Sequence, residues 1–137
     1  MSLEQAARQI TKDPFAYFLG IELLELREGY SRTAMTVAEH MLNFQGIPHG
    51  GVIFSLADAA FAAAGNSHGQ VAVALNVSIN FVAAVAAGTR LCAEASLESA
   101  TRRTAIYRLS VAAEDGTLVA LGHGTVYRKG QSTGAGS

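Results

Sequence analysis

From Val71 to Val82 the chain alternates in steps of two. Val71, Val73, Leu75, Val77, Ile79 and Phe81 fall on one face, with Ala72, Ala74, Asn76, Ser78 and Asn80 on the other. That period predicts a β-strand. The same alternation, Leu91, Ala93, Ala95 and Leu97 against charged and small residues, predicts a strand over Thr89–Ser99. Strands at Thr104–Ala113 and Thr117–Tyr127 follow, joined by the Asp-Gly turn chemistry of Asp115-Gly116. Upstream, Ile21–Arg27 and Ser31–Val37 flank Glu28-Gly29-Tyr30, a hairpin signal. Leu3, Ala6, Ala7 and Ile10 recur at helical spacing. Asp13-Pro14 restarts the chain into a second short helix that Gly20 stops, its aromatics Phe15, Tyr17 and Phe18 expected to cap the core.

One stretch has no polar face. Between Val52 and Ala64 only Ser55 and Asp58 are polar, after the opening pair Gly50-Gly51 and before Gly65, the expected C-cap. A helix apolar all round belongs inside a protein. The order is thus helices, hairpin, buried helix, then four strands joined by short turns, which makes neighbouring strands antiparallel. An α+β fold is expected, a curved antiparallel sheet wrapped around one long central helix.

Composition narrows the picture. The chain has 137 residues, half of them hydrophobic, enough for one domain with a real core. That domain is expected over residues 1–130, with 131–137 a small polar, disordered tail. A net charge of −1 offers nucleic acid and acidic membranes no general attraction. The central helix is too short to span a bilayer, and Met1–Lys12 lacks the apolar run of a signal peptide. The lone Cys92 fits a reducing compartment. A cytoplasmic protein is expected.

Candidate chemistry concentrates in the central stretch. Burying an unpaired carboxylate costs several kcal/mol, so Asp58 needs a partner or a cavity that uses it. The first amides of a helix have no internal partner and carry partial positive charge. Glycine at Gly50 and Gly51 lets a ligand oxygen approach them, which makes an oxyanion hole for acyl transfer. His49, just before it, either orients that loop or acts as a base, with the orienting role favoured. Asp58 follows Gly50 by eight residues, roughly 12 Å along the axis, too far for both to meet one carbonyl within a chain. Two helices facing across a two-fold axis solve this, so the spacing predicts a dimer with two shared sites. The string Gly65-Asn66-Ser67-His68-Gly69 matches the serine-hydrolase pattern, but a helix precedes it and a strand follows, the reverse of what that mechanism needs. It is expected to be a helix-ending turn. His40, His49, His68 and His123 show no metal spacing, and no phosphate-binding glycine motif is present, so neither metal nor nucleotide cofactor is expected. Arg102-Arg103 is either a solvated turn or a phosphate contact.

Asn43…Gly46…Pro48-His49-Gly50-Gly51…Leu56-Ala57-Asp58…Ala63, followed by Ser78-Ile79-Asn80-Phe81, resembles the hot-dog-fold acyl-CoA thioesterases. Leu56–Ala62, Asn66-Ser67 and the run from Asp115 to Gly124 resemble the phenylacetic acid degradation (PaaI) branch. The resemblance covers about Asp13–Lys129. It implies hydrolysis of acyl-CoA, phenylacetyl-type, with Asp58 as general base or nucleophile and the Gly50 amide on the thioester oxygen. Gly51 stands beside it, Asn43 places substrate or water, and His49 precedes the oxyanion glycine. It also implies sites between subunits, dimers paired into tetramers, and coenzyme A as part of the substrate rather than a cofactor. Two positions depart from the pattern: Ala74, where relatives carry Ser or Thr to assist the attacking water, and Asn76, where Asp is common. Ser55 or Asn66 could stand in for the helper. Arg102, Arg103 and Arg128 could meet the phosphates. The rivals are a hydroxyacyl dehydratase, which would place Glu on the helix, and a non-catalytic acyl-CoA-binding module.

Overall fold

A computed structural model describes residues 2–132. Helix α1 (Leu3–Ile10) opens with a capping box between Ser2 and Gln5. Helix α2 (Pro14–Leu19) is capped by Asp13, whose carboxylate accepts from the amides of Phe15 and Ala16, and ends at left-handed Gly20. Strands β1 (Glu22–Arg27) and β2 (Tyr30–Thr36) form the expected hairpin. A connection with one 3-10 turn (Glu39–Met41) leads to α3 (Gly50–Gly65), then β3 (Gln70–Phe81), β4 (Arg90–Ala100), β5 (Thr104–Ala113) and β6 (Leu118–Ser132). Strand β6 thus runs two residues into the segment expected to be a tail, and residues 133–137 lie outside the described residues. Among the described residues no helix is long and apolar enough to cross a membrane.

All six strands pair antiparallel in the order β1-β2-β4-β5-β6-β3, and α3 packs against the sheet. This is the α+β arrangement expected. One neighbour relation differs: β3 pairs with β6, not with β4, because residues 82–89 carry the chain from the sheet edge to its middle. β3 is therefore an edge strand. Its alternation is also broken. The register against β6 shifts between Ala74 and Asn76, so Ala72 faces the core before the bulge while Val77 and Ile79 face it afterwards. Val73 and Leu75 are left exposed.

Leu56, Phe61, Met35, Leu91, Tyr107 and Leu109 fill the core between α3 and the sheet. Three successive turns of α3 are also fastened to it through backbone carbonyls. Thr33 Oγ1 donates to the Leu56 carbonyl at 3.2 Å, Ser31 Oγ to that of Ala60, and the Tyr107 hydroxyl to that of Ala64 at 3.1 Å. These hydroxyls fix the rotation of the helix about its axis. Since i and i+2 point to opposite sides, clamping Ala60 to the sheet turns Asp58 away from it. A stripe of Gly51, Ser55, Asp58 and Ala62 stays open or half-open. The helix is thus sheathed on one side only.

Two other details differ from expectation. Gly65 is the last helical residue, and Asn66 caps α3. A Cβ at Gly65 would stand 3.1 Å from Val126 Cγ1, so the glycine serves close packing on β6. The α2 aromatics do not cap the core: Phe15, Tyr17 and Phe18 are 59%, 83% and 71% exposed, and Leu19 alone of that helix is buried.

Gly122 in β6 is fixed by close approach. A Cβ there would come 2.0 Å from the backbone oxygen of Ser78 on β3, which no rotamer change relieves. Gly122→Ala is expected to separate β3 from β6 at a cost of about 1–3 kcal/mol. Urea unfolding measures this, and a loss below about 0.5 kcal/mol would contradict the stated packing.

Candidate active site

The N-terminus of α3 is built by the loop before it. The Asn43 side-chain oxygen accepts from the amides of Gln45 at 2.9 Å and Ile47 at 3.4 Å, and its backbone amide donates to the Ile47 carbonyl. This side-chain turn folds residues 43–47 back on themselves, and buried Pro48 follows. The His49 amide then donates to the Met41 carbonyl, while the His49 carbonyl accepts from Val52 and Ile53 and starts the helix. The His49 ring makes no cap; it is exposed and lies alongside Gly51.

Among the described residues no acceptor takes the amides of Gly50 or Gly51. Gly50 opens instead onto an apolar cavity of about 310 Å³, lined by Asn43, Ile53, Phe81, Val85 and Val119 among others. The Phe81 ring covers Gly50 so closely that a Cβ would stand 3.2 Å from Cζ. The Nδ2 group of Asn43 has no acceptor among the described residues and belongs to the same lining. Two kinds of N–H donor thus border one greasy cleft.

Asp58 does not line that cavity. It is half-buried on the open stripe, and among the described residues neither a hydrogen bond nor an ion pair reaches its carboxylate. Burial raises its pKa above the ordinary aspartate value, and the negative charge of Asp13 raises it further. A carboxylate so held is a poor anion and a better base. Asp13, at the cap of α2, is a contributor that the sequence reading missed; the Asp13-Pro14 pair signals the helix start but not its approach to Asp58.

The remaining candidates separate. Ser55 Oγ donates to the Gly51 carbonyl at 2.7 Å, so it retains acceptor capacity only. The Asn66 amide is tied at both ends, Nδ2 to the Ala62 carbonyl at 2.9 Å and Oδ1 from the Ala72 amide at 2.9 Å, which fastens the end of α3 to β3. Its neighbour Ser67 is equally structural: buried, it donates to the Ala64 carbonyl and accepts from the Gly29 amide. The serine-hydrolase string is indeed a helix-ending turn. Arg102 and Arg103 are exposed on the β4–β5 turn, away from the cavity at Gly50.

A family model for the thioesterase superfamily matches residues 45–120, more than half of the chain and the stretch that holds the Gly50 terminus and Asp58. The chain belongs to the thioesterase superfamily. Like other thioesterase-superfamily enzymes it is a thioester hydrolase, and its curved sheet around α3 is the hot dog fold. The acyl-coenzyme A thioesterase PaaI of Escherichia coli K12 is 37% identical over 127 residues, 93% of this chain and 91% of that protein. Its structure matches with a TM-score of 0.88, covering 96% of this chain and 99% of the other. A variant of the phenylacetic acid degradation protein PaaI from Thermus thermophilus is 43% identical, with a TM-score of 0.81 and coverage of 85% and 99%. A hypothetical thioesterase from Streptococcus pneumoniae TIGR4, solved with coenzyme A, is 25% identical, with a TM-score of 0.84 and coverage of 92% and 98%.

Proposed function

We propose that the protein hydrolyses aryl- and arylacetyl-CoA thioesters, phenylacetyl-type, to the free acid and coenzyme A, in sites shared between two chains. The observation that carries this is the pairing of unpartnered amides at Gly50 and Gly51 with a half-buried, unpaired Asp58 too distant to join them in one chain. A second copy resolves both anomalies. Its α3 terminus faces the Asp58 carboxylate, and its surface covers the open stripe. The long edge strand β3, with Val73 and Leu75 exposed, is an unpaired template of the kind that joins another copy. Dimers pairing into tetramers are the assembly this family resemblance implies.

In each such site the Gly50 amide, with Gly51 beside it, holds the thioester oxygen as negative charge develops there. Asn43 Nδ2 adds a donor from the same chain, and His49 keeps the loop in place. Asp58 of the facing chain removes a proton from water, whose oxygen bonds to the carbonyl carbon; alternatively its own oxygen attacks first, and water hydrolyses the resulting acyl–Asp58 anhydride to the free acid once the thiolate has left. The carbon–sulfur bond then breaks, and the thiolate leaves as coenzyme A and takes up a proton. Water is the only co-reactant, and no cofactor is needed.

The aryl preference rests on exposed rings. Phe44, 97% exposed, directly follows Asn43, which lines the Gly50 cavity, and α2 carries Phe15 and Phe18 close behind Asp13, which Asp58 senses. Where two chains meet, rings from both would enclose an aromatic acyl group. A thiol-release assay over aryl and alkyl acyl-CoA esters is expected to give arylacetyl-CoA a kcat/KM about tenfold above an alkyl ester of equal length. An enoyl product without free thiol would replace the hydrolase by a dehydratase.

A further inference from the structure

Among the described residues that line the cleft at Gly50, Phe81 alone is aromatic. The bulge in β3 is what brings its ring there. Ala72 faces the core ahead of the register shift between Ala74 and Asn76, whereas Val77 and Ile79 face it afterwards. Phe81 follows Ile79 by two residues and so shares its side of the strand. Had the phase of Ala72 run on unbroken, Asn80 would point toward α3 and Phe81 away from it. The bulge thus re-aims an aromatic side chain at the first residue of the helix. The strand end is then pinned: Phe81 stands opposite Ala120 in the ladder, and the Val82 amide donates to the Val119 carbonyl at 2.8 Å.

The ring is engaged at its tip and not on its faces. The atoms nearest an ideal Cβ at Gly50 are Cζ at 3.2 Å, Cε2 at 3.4 Å and Cε1 at 3.6 Å, all at the far end of the ring. Among the described residues no other aromatic side chain stacks on it. Phe81 is 55% exposed, although it shares the cleft with buried Ile53 and Val119. A large apolar ring left half in water has contact area to give, and a second ring is the partner that its flat face suits. A thioester oxygen held by the Gly50 amide sits at the residue the ring tip touches, so the acyl group that follows it passes along Phe81.

We infer that Phe81 is a specificity-determining residue, against whose ring an aromatic acyl group packs beside the thioester carbonyl. This rests on the substrate class proposed above. Phe15, Phe18 and Phe44 lie outside the lining of this cleft, which leaves Phe81 as the ring within it.

The test is the ratio of kcat/KM for phenylacetyl-CoA over hexanoyl-CoA, an alkyl ester of about equal length. In Phe81→Leu the ratio is expected to fall about three- to tenfold, the effect of one lost aromatic pair. Phe81→Ile, whose side chain suits a strand, should give the same fall. A looser fold alone would slow both esters and leave their ratio as it was. An unchanged ratio in the two variants overturns the inference. Calorimetry on Asp58→Asn, with and without Phe81→Leu, provides an arm independent of turnover. Phenylacetyl-CoA is expected to lose affinity relative to hexanoyl-CoA when the ring is removed, and equal losses overturn the inference. A wild type that hydrolyses both esters equally well, yet shows that selective loss of affinity, would sink the aryl substrate proposal and leave the role of Phe81 standing.

Discussion

Asp58→Asn is expected to lower thioester turnover by about 10²–10⁴-fold while making the folded protein more stable at neutral pH. Both effects come from one side chain in an environment that opposes its charge. The carboxylate is half-buried on α3, without a hydrogen bond or a cation among the described residues. Burial first, and the Asp13 charge second, push its pKa above the ordinary value. A carboxyl group whose folded pKa is raised contributes stability that is complete below its unfolded pKa and lost as pH rises through the folded value. Near pH 7 the ionised Asp58 therefore weakens the fold, and the isosteric amide removes that burden. Thermal unfolding should show the wild type melting below the Asp58→Asn variant at pH 7, with the gap closing in acid. The same raised pKa places the acid limb of kcat/KM above the usual carboxylate range, since the base must be ionised to act. Asp13→Asn keeps the helix cap, as Asn caps as well as Asp, and removes the charge; it should move that limb to lower pH. A variant Asp58→Asn with near-normal thiol release would end the assignment of this residue.

The carboxylate was legible because it contradicts its surroundings. In a stretch with only Ser55 and Asp58 polar, elementary solvation makes Asp58 conspicuous, and the Gly50-Gly51 pair marks a helix start whose amides a ligand can reach. The helix spacing alone separates the two along the axis. What periodicity does not encode is rotation. Asp58 faces outward because Ser31, Thr33 and Tyr107, on two strands distant in sequence, clamp the opposite side of α3; nothing local in Val52–Ala64 announces it. The bulge in β3 was hidden for a related reason. Alanine and valine are acceptable on either face of a strand, so Val71–Val82 reads as unbroken alternation although the β6 register shifts beside Leu75. The convergence of Arg102, Arg103 and Arg128 likewise depends on β6 lying beside the β4–β5 turn, a pairing that is non-local for Arg128.

Two inactive variants mixed together are expected to recover activity. Gly50→Pro deletes the amide that is to hold the thioester oxygen and little else. Gly50 is the first residue of α3, where proline is favoured because that N–H has no helical partner. His49 before it is extended, at φ −59° and ψ 136°, as a residue preceding proline must be. The added ring atoms press on Phe81, 3.2 Å from an ideal Cβ, and Gly50→Ala brings the same Cβ while keeping the N–H, so the difference between the two variants isolates the donor. Losing it should cost about 10²–10³ in kcat. Asp58→Asn alone is dead for the other reason. If each site takes its amide from one chain and its carboxylate from the other, a hybrid dimer of Gly50→Pro with Asp58→Asn has one site with both defects and one with neither. Half of the dimers in an equal mixture refolded together are hybrids with one working site of two, so about a quarter of wild-type activity should return. Sites contained within single chains would give no recovery at any ratio, because every chain carries a defect. Recovery on mixing would place the amide and the carboxylate of one working site on two chains, the outcome expected if a second chain closes the roughly 12 Å of helix between them.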